Sequence, residues 1–265
     1  MSKLFEGSWA LVTGASSGLG LEFARNLARH GANLVLTARR QARLEELALD
    51  LTRVNGTVAY AVPCDLAAAG GAFALVERVK ELGIRVDHLI NNAGFGSAGH
   101  FTELPAERES EMVYVNCEAV VTLTRAFLPG MVQRARGGVL NVASIAANQP
   151  VPFMATYGAS KAFLLSFSLA ISSELRGSDV RVMAFCPGPV STGFQASASI
   201  PETDSRLGRL DARDAVERAL IAYEAGRTVY TPGLVNSLQS GAVRLLPRSL
   251  VVQAAKMTMK KLGRA

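Results

Sequence analysis

Between Trp9 and Thr231 the apolar residues change spacing repeatedly, from the run of a strand to the stripe of a helix and back. No other feature restricts the fold so severely. Short apolar runs at 9–13, 33–37, 58–62, 86–90, 139–143, 180–185 and 228–231 predict strands. Helices are expected between them, where apolar side chains return on one face. Leu19, Phe23 and Leu27 mark the first, with Gly31 as its stop; Leu44, Leu47, Leu51 and Val54 mark the second. Ala72, Leu75, Val79 and Leu82 mark the third, and a long stretch from Glu109 to Leu128 is ended by Pro129-Gly130. The helix holding Tyr157 and Lys161 is read with Phe163, Phe167 and Ile171 toward a core, and Asp211 to Ala225 starts at Asp211 and Asp214. Strands alternating with helices require parallel pairing, because each crossover returns the chain to the same end of the sheet. The fold class is therefore α/β: a single doubly wound parallel sheet with helices on both faces.

Ligands of such sheets sit beyond the C-terminal strand ends. Thr13-Gly14-Ala15-Ser16-Ser17-Gly18-Leu19-Gly20 lies at one of these ends and opens a helix. Glycines let a backbone approach a pyrophosphate, and a helix N-terminus offers amide donors and a favourable dipole. The spacing is Gly-x-x-x-Gly-x-Gly, which departs from the usual dinucleotide fingerprint. The second strand ends in Thr37-Ala38-Arg39-Arg40. A free ribose 2′-hydroxyl ordinarily meets an acidic residue there, whereas the planar donor fork of arginine suits a 2′-phosphate. Arg39 and Arg40 thus favour NADP(H) over NAD(H); the competing reading makes them a solvated helix entry.

Tyr157 and Lys161 stand four apart, so on a helix their side chains share one face. A phenol ordinarily titrates near pH ~10, and a neighbouring cation favours the phenolate. A shift of about three units, at ~1.4 kcal/mol each, would let a tyrosine give and take a proton near neutrality. Ser144 closes the apolar run at 139–143, thirteen residues upstream of Tyr157.

Composition excludes several classes. Hydrophobic residues form 49% of 265, enough for a buried core, and no apolar run approaches the ~18 residues of a membrane span. No secretory pattern opens the sequence, so a cytoplasmic or membrane-associated location is expected. Cys64, Cys117 and Cys186 have no metal-ligand spacing, and His30, His88 and His100 form no cluster, so no metal is expected. The net charge is +6, yet seven of the 28 basic residues follow Glu224 and no acidic residue does. The first 224 positions keep 21 basic against 22 acidic residues, so the basicity belongs to the tail. Basic charge confined there, without interleaved aromatics, argues against nucleic acid.

Taken in order, the Thr13-to-Gly20 turn, Asn91-Asn92-Ala93-Gly94, Asn116, Ser144, Tyr157/Lys161 and Pro187-Gly188 with Thr192 resemble the short-chain dehydrogenase/reductase family. The resemblance covers roughly residues 7 to 235, and no catalytic position departs from the family pattern. It implies a Rossmann-type catalytic domain over 1–235, with a basic helical extension over 236–265. It further implies that Tyr157 is general acid in carbonyl reduction and base in alcohol oxidation, while Ser144 holds the substrate oxygen. Lys161 would lower the phenol pKa and hold the nicotinamide ribose, and Asn116 would position a water leading from Lys161 to solvent. Thr13, Gly14, Ser16, Ser17, Gly18, Leu19 and Gly20 would carry the pyrophosphate end. Asp65 and Leu66 would meet the adenine, and Asn91, Asn92, Ala93 and Gly94 the ribose side. Pro187, Gly188, Val190 and Thr192 would meet the nicotinamide. Asp65 has a competing reading as a helix cap, and Asn91 as a tie between strands. A dimer or tetramer is implied by the same resemblance.

Residues 191–209 are expected to form a loop or lid, and Phe95, Phe153 and Phe194 to line a substrate pocket. Beyond Pro247, Ser249, Gln253, Lys256, Lys260 and Arg264 fall on one helical face, with Val251, Ala255 and Leu262 roughly opposite. Such a helix could cover the pocket, pack on a second subunit or lie on an anionic membrane. The apolar loop residues and the tail point to a hydrophobic substrate. The expected activity is NADP(H)-dependent interconversion of a ketone or aldehyde with an alcohol, run as a carbonyl reductase. Alcohol oxidation and a catalytically silent nucleotide sensor are the alternatives.

Overall fold

The structure, a computed structural model, describes residues 3–190, 210–243 and 246–261. The expectations for Thr192, Phe194, the 191–209 loop, Leu262 and Arg264 fall outside these residues.

Among the described residues, seven strands form one parallel sheet: β1 (Trp9–Thr13), β2 (Asn33–Thr37), β3 (Ala59–Ala61), β4 (His88–Asn91), β5 (Gly138–Val142), β6 (Arg181–Phe185) and β7 (Val229–Tyr230). Their spatial order is β3-β2-β1-β4-β5-β6-β7. The chain winds outward from β1 to β3 and then crosses to β4, which leaves a crevice beyond the strand ends between β1 and β4. β1, β2, β4, β5 and β6 are buried almost throughout because helices cover both faces of the sheet.

One face carries α1 (Gly18–Arg29), α2 (Gln41–Asn55) and α7 (Ala212–Glu224), which bury Phe23, Leu27, Leu44, Leu51 and Tyr223 against Leu34, Leu36 and Phe185. The other carries α3 (Gly71–Glu81), α5 (Ala119–Gln133) and α6 (Ala155–Glu174), where Leu75, Val79, Leu123 and Met131 meet Leu11, Val35 and Val139. Each fully buried large side chain contributes about 1.5–3 kcal/mol. Local signals set the ends. α2 stops at Gly56, whose φ of 68° lies in the left-handed region. Asp211 caps α7 by accepting hydrogen bonds from the amides of Arg213 and Asp214. Two further helices close the described chain, α8 (Leu234–Val243) and α9 (Arg248–Lys261). No helix among the described residues is long and apolar enough to cross a membrane.

Several expected boundaries and faces differ. The helix expected over 109–128 is α4 (Ala106–Val113), a π turn (Tyr114–Glu118) and α5, and Pro129 lies inside α5 instead of ending it. The bond that Pro129 cannot donate is outweighed: the extra turn buries Met131 and lets Arg134 donate to the Val86 carbonyl. Phe163 does not face the core; it is exposed and stacks on Phe167, while the buried face of α6 carries Tyr157, Lys161, Leu164 and Ser168. Lys161 and Ser168 make that face look polar in sequence. Val54 is likewise exposed, because α2 turns Leu44, Leu47, Ala48 and Leu51 inward.

Candidate active site

Thr13 ends β1 as a hub. Its hydroxyl accepts from the amides of Asn92 and Ala93 at 2.9 and 2.8 Å and reaches the Ile90 carbonyl at 3.3 Å. The Asn92 side chain donates to the Thr13 carbonyl at 2.8 Å. These bonds lock the turn after β1 to the turn after β4, and Asn92, Ala93 and Gly94 border the crevice. Thr13 itself is buried behind the turn and positions it.

The glycine turn then packs tightly. A Cβ at Gly20 would lie 2.2 Å from the Gly14 carbonyl oxygen, so only glycine lets α1 start so close to β1. Gly20 therefore supports the turn, while Gly14, Ser16, Ser17, Gly18 and Leu19 line the cleft. Ser17 precedes α1 in extended conformation and its side chain makes no capping bond, so the first-turn amides are not claimed by that cap. An anion fits there.

Arg40 bends back onto this turn and donates to the Ser16 hydroxyl at 3.0 and 3.3 Å and to the Ser16 carbonyl at 3.2 Å. Arg39 and Arg43 line the same end of the cleft. Sequence reasoning does not single out Arg43; its place one turn after Arg39 and Arg40 at the start of α2 is the signal that could have found it. Asp65, Leu66 and Ala67 form the facing wall. The Asp65 carboxylate accepts from the Ala67 amide at 3.0 Å, which shapes a turn; α3 begins only at Gly71, so Asp65 does not cap it. Asn91 is buried inside the sheet, donating to Thr124 and Asn141 at 3.2 and 2.8 Å, and does not reach the cleft.

The other end of the cleft holds Ser144, Tyr157 and Lys161. Ser144 follows β5 and accepts from the Ala146 amide at 3.1 Å, which leaves the hydroxyl hydrogen for another acceptor. Tyr157, 9% exposed, packs against Met112, Val151 and Met154. Lys161 is 5% exposed; its Nζ donates to the Val142 carbonyl at 2.8 Å and lies 5.7 Å from the Tyr157 ring centre. Burial brings the Lys161 pKa down to about 8, against the opposing influence of Cys117 and Cys186. The Cys117 thiol is pushed up by burial.

Asn116 sits in the π turn, fully buried. Its Oδ1 accepts from the Phe95 amide at 3.2 Å, and its Nδ2 donates to the Phe95 carbonyl at 3.1 Å and to Ser160 at 3.0 Å. Gly94 fills the narrow space above: a Cβ there would stand 2.9 Å from Asn116 Oδ1 and 3.4 Å from Lys161 Nζ. The π turn thus brings Asn116 to the Lys161 end of the site. Phe95 lines the cleft, with the Arg108 guanidinium 5.0 Å from its ring centre. Phe153 does not: its φ of 66° turns the ring onto His100 instead. Pro187, Gly188 and Val190 complete the floor.

The tail builds the outer wall, in line with the reading in which its helix covers the pocket through Val251 and Ala255. α8 and α9 supply Val235, Asn236, Gln239, Leu250, Val251, Ala255 and Met259 to the same cleft of ≈ 1250 Å³. Asn236 packs directly on Gly188, which seats α8 on the loop after β6. A nicotinamide dinucleotide fits these residues: free helix-end amides and arginines at one end, and an apolar, partly buried Tyr–Lys–Ser group at the other. Among the described residues no group of three or more His, Cys, Asp or Glu could hold a metal ion.

A family model described as short chain dehydrogenase matches residues 8–203. A very-long-chain 3-oxoacyl-CoA reductase of Pyrenophora tritici-repentis is 38% identical over 218 residues, covering 77% of this chain and 64% of that protein. The chain therefore spans less than two thirds of that relative. Among solved structures, a short-chain dehydrogenase from Sphingobium yanoikuyae in complex with NADPH aligns with a TM-score of 0.80 and 31% identity, over 91% of this chain and 97% of that one. A short-chain dehydrogenase/reductase from Burkholderia phymatum in complex with NAD aligns with a TM-score of 0.79 and 27% identity, over 100% and 98%.

Proposed function

The chain belongs to the short-chain dehydrogenase family, and from that premise we propose that it is an NADP(H)-dependent reductase of apolar ketones, with a 3-oxoacyl chain as the favoured substrate class. As a family member it is an oxidoreductase of the CH–OH/C=O type. The observation that carries the finer reading is one continuous cleft, cationic at the dinucleotide end and apolar around Ser144, Tyr157 and Lys161.

When bound, the nicotinamide dinucleotide supplies the hydride. The residues of this chain do the rest. Tyr157 gives its phenolic proton to the carbonyl oxygen as negative charge develops there. Ser144 donates the hydroxyl hydrogen that its bond to Ala146 leaves free, which holds that oxygen and stabilises the charge. Lys161 keeps a positive charge beside the phenol ring and favours the phenolate once the proton has left. Asn116 fixes the Phe95 backbone over this end of the site. Val151, Met154 and Met259 keep it apolar, which strengthens each of these electrostatic contributions.

Arg39, Arg40 and Arg43, with no acidic residue in 38–43, favour a 2′-phosphate. Relatives in complex with NADPH and with NAD are both known, so the cofactor preference of this chain rests on its own residues. The apolar wall of α8 and α9 and the 3-oxoacyl-CoA reductase relative support a long acyl ketone.

The test is a panel of aliphatic, aromatic, polycyclic and acyl-thioester ketones followed by NADPH absorbance, with dissociation constants for NADPH and NADH measured alongside. The proposal expects turnover that rises with acyl length and tighter NADPH. Tighter NADH, or a preference for small polar ketones, would contradict it.

A further inference from the structure

α8 and α9 wall the cleft yet leave large apolar side chains in water on their outer surface. Residues one and two helical turns apart fall close to one line, so α9 can be divided into stripes. Val251 and Ala255 are buried and face the cleft with Met259. Leu250 and Met257, about two turns apart, share a second stripe and are 54% and 61% exposed. Lys256 and Lys260 form a third stripe beside it and are exposed. On α8, Leu234 and Leu238 are exposed one turn apart, Leu238 at 72%. Val235, Leu246 and Leu250 belong to both regions: each lines the cleft and is also exposed. The apolar rim of the cleft therefore runs out onto the surface of the arm.

An exposed apolar stripe needs an occupant, and its charge says which. No acidic residue follows Glu224, and the stripe of Leu250 and Met257 lies beside a lysine stripe. A helix with apolar side chains next to lysines is the geometry of an interfacial helix, whose apolar stripe enters the acyl boundary while the lysines meet anionic headgroups. We propose that the α8–α9 arm docks this chain on an anionic lipid bilayer, with the apolar rim of the cleft turned to the membrane. The docking stands without any reaction. Its consequence, that an apolar ketone enters the cleft from the bilayer, rests on the function proposed above.

The test uses the full chain and two vesicle preparations, pure phosphatidylcholine and phosphatidylcholine with about 30% phosphatidylserine. Co-sedimentation is expected on the anionic vesicles, weakening as salt is raised. Lys256→Gln with Lys260→Gln should lower the partition coefficient on anionic vesicles by about ten-fold or more. Leu238→Ser with Met257→Ser should abolish binding at every salt concentration. None of these four side chains lines the cleft, so both double variants keep wild-type melting temperature, NADPH binding and rate on a water-soluble ketone. Their rate on a long-chain ketone dissolved in anionic vesicles should fall in step with the bound fraction. Wild type that ignores anionic vesicles overturns the proposal, as does equal binding to both preparations. So does a self-associated species that Leu238→Ser/Met257→Ser dissolves, which would make a second copy the occupant. No turnover of any ketone, with vesicle binding intact, would strike the proposed function and leave the docking standing.

Discussion

Lys161 is charged at neutral pH in both folded and unfolded chains, but burial makes that charge more costly in the fold. A pKa of about 8 against 10.5 corresponds to a cost of roughly 3 kcal/mol below pH 8. As pH rises from about 8 to 10.5 the folded chain releases the proton first, so the cost falls and stability contributed at this position rises. Lys161→Met should therefore stabilise the protein without cofactor at pH 7 by about 1–2 kcal/mol, after about 1 kcal/mol is lost with the bond to the Val142 carbonyl. Urea titration should show that gain shrinking toward pH 10, while turnover is lost at every pH. A group held against its own stability is understandable if the site uses it, which argues against a silent nucleotide sensor. His88 gives the opposite exercise. Burial beside Tyr223 lowers its pKa to about 4, so between about 6.5 and 4 the unfolded chain takes up a proton that the folded chain refuses. Stability is full above pH 6.5 and should fall by about 3 kcal/mol on acidification through that window. His88→Asn should be less stable at pH 7 but lose this component of the pH slope, as denaturation at pH 7 and 4.5 would report.

At the scale of elements, what sequence made legible was whatever burial alone controls. The strands at 9–13 and 33–37 and the cap at Asp211 appear where apolar runs and side-chain chemistry predict them. Faces are misread where function or tertiary contact competes with hydrophobicity. α6 buries Lys161 and Ser168 and leaves Phe163 outside, an inversion that counting apolar residues cannot reveal. The π turn carrying Asn116 has no period to detect. Pro129 is a stop by local rules, but Met131 and Arg134 draw the helix onward. Pro129→Ala should restore a backbone donor to α5 and stabilise the fold by about 1–2 kcal/mol, less than the full proline penalty because the unfolded chain gains entropy. Thermal or urea unfolding that finds Pro129→Ala destabilised would show that the ring, not the downstream packing, holds the α5 geometry.

Across the whole molecule, the sheet order gathers the cleft-lining groups at one rim. The turns after β1, β2 and β3 line the arginine end, and the turn after β4, Ser144 after β5, α6 and the loop after β6 line the Tyr157–Lys161 end. The sequence exposed these motifs because their chemistry sits in short local strings. The apolar face of Val251 and Ala255 is legible as well, but whether it covers the pocket, a second subunit or a membrane depends on where α9 docks, and Val235 and Met259 carry no sequence signal at all. In the function proposed above, that wall makes substrate class a property of the tertiary arrangement, whereas proton transfer is a property of one side chain. The most direct measurement is single-turnover hydride transfer to an apolar ketone, comparing wild type with Tyr157→Phe at saturating NADPH. The proposed mechanism predicts unchanged folding and NADPH affinity with a rate at least ~10²-fold lower; a Tyr157→Phe variant that reduces the ketone at near wild-type speed would contradict it.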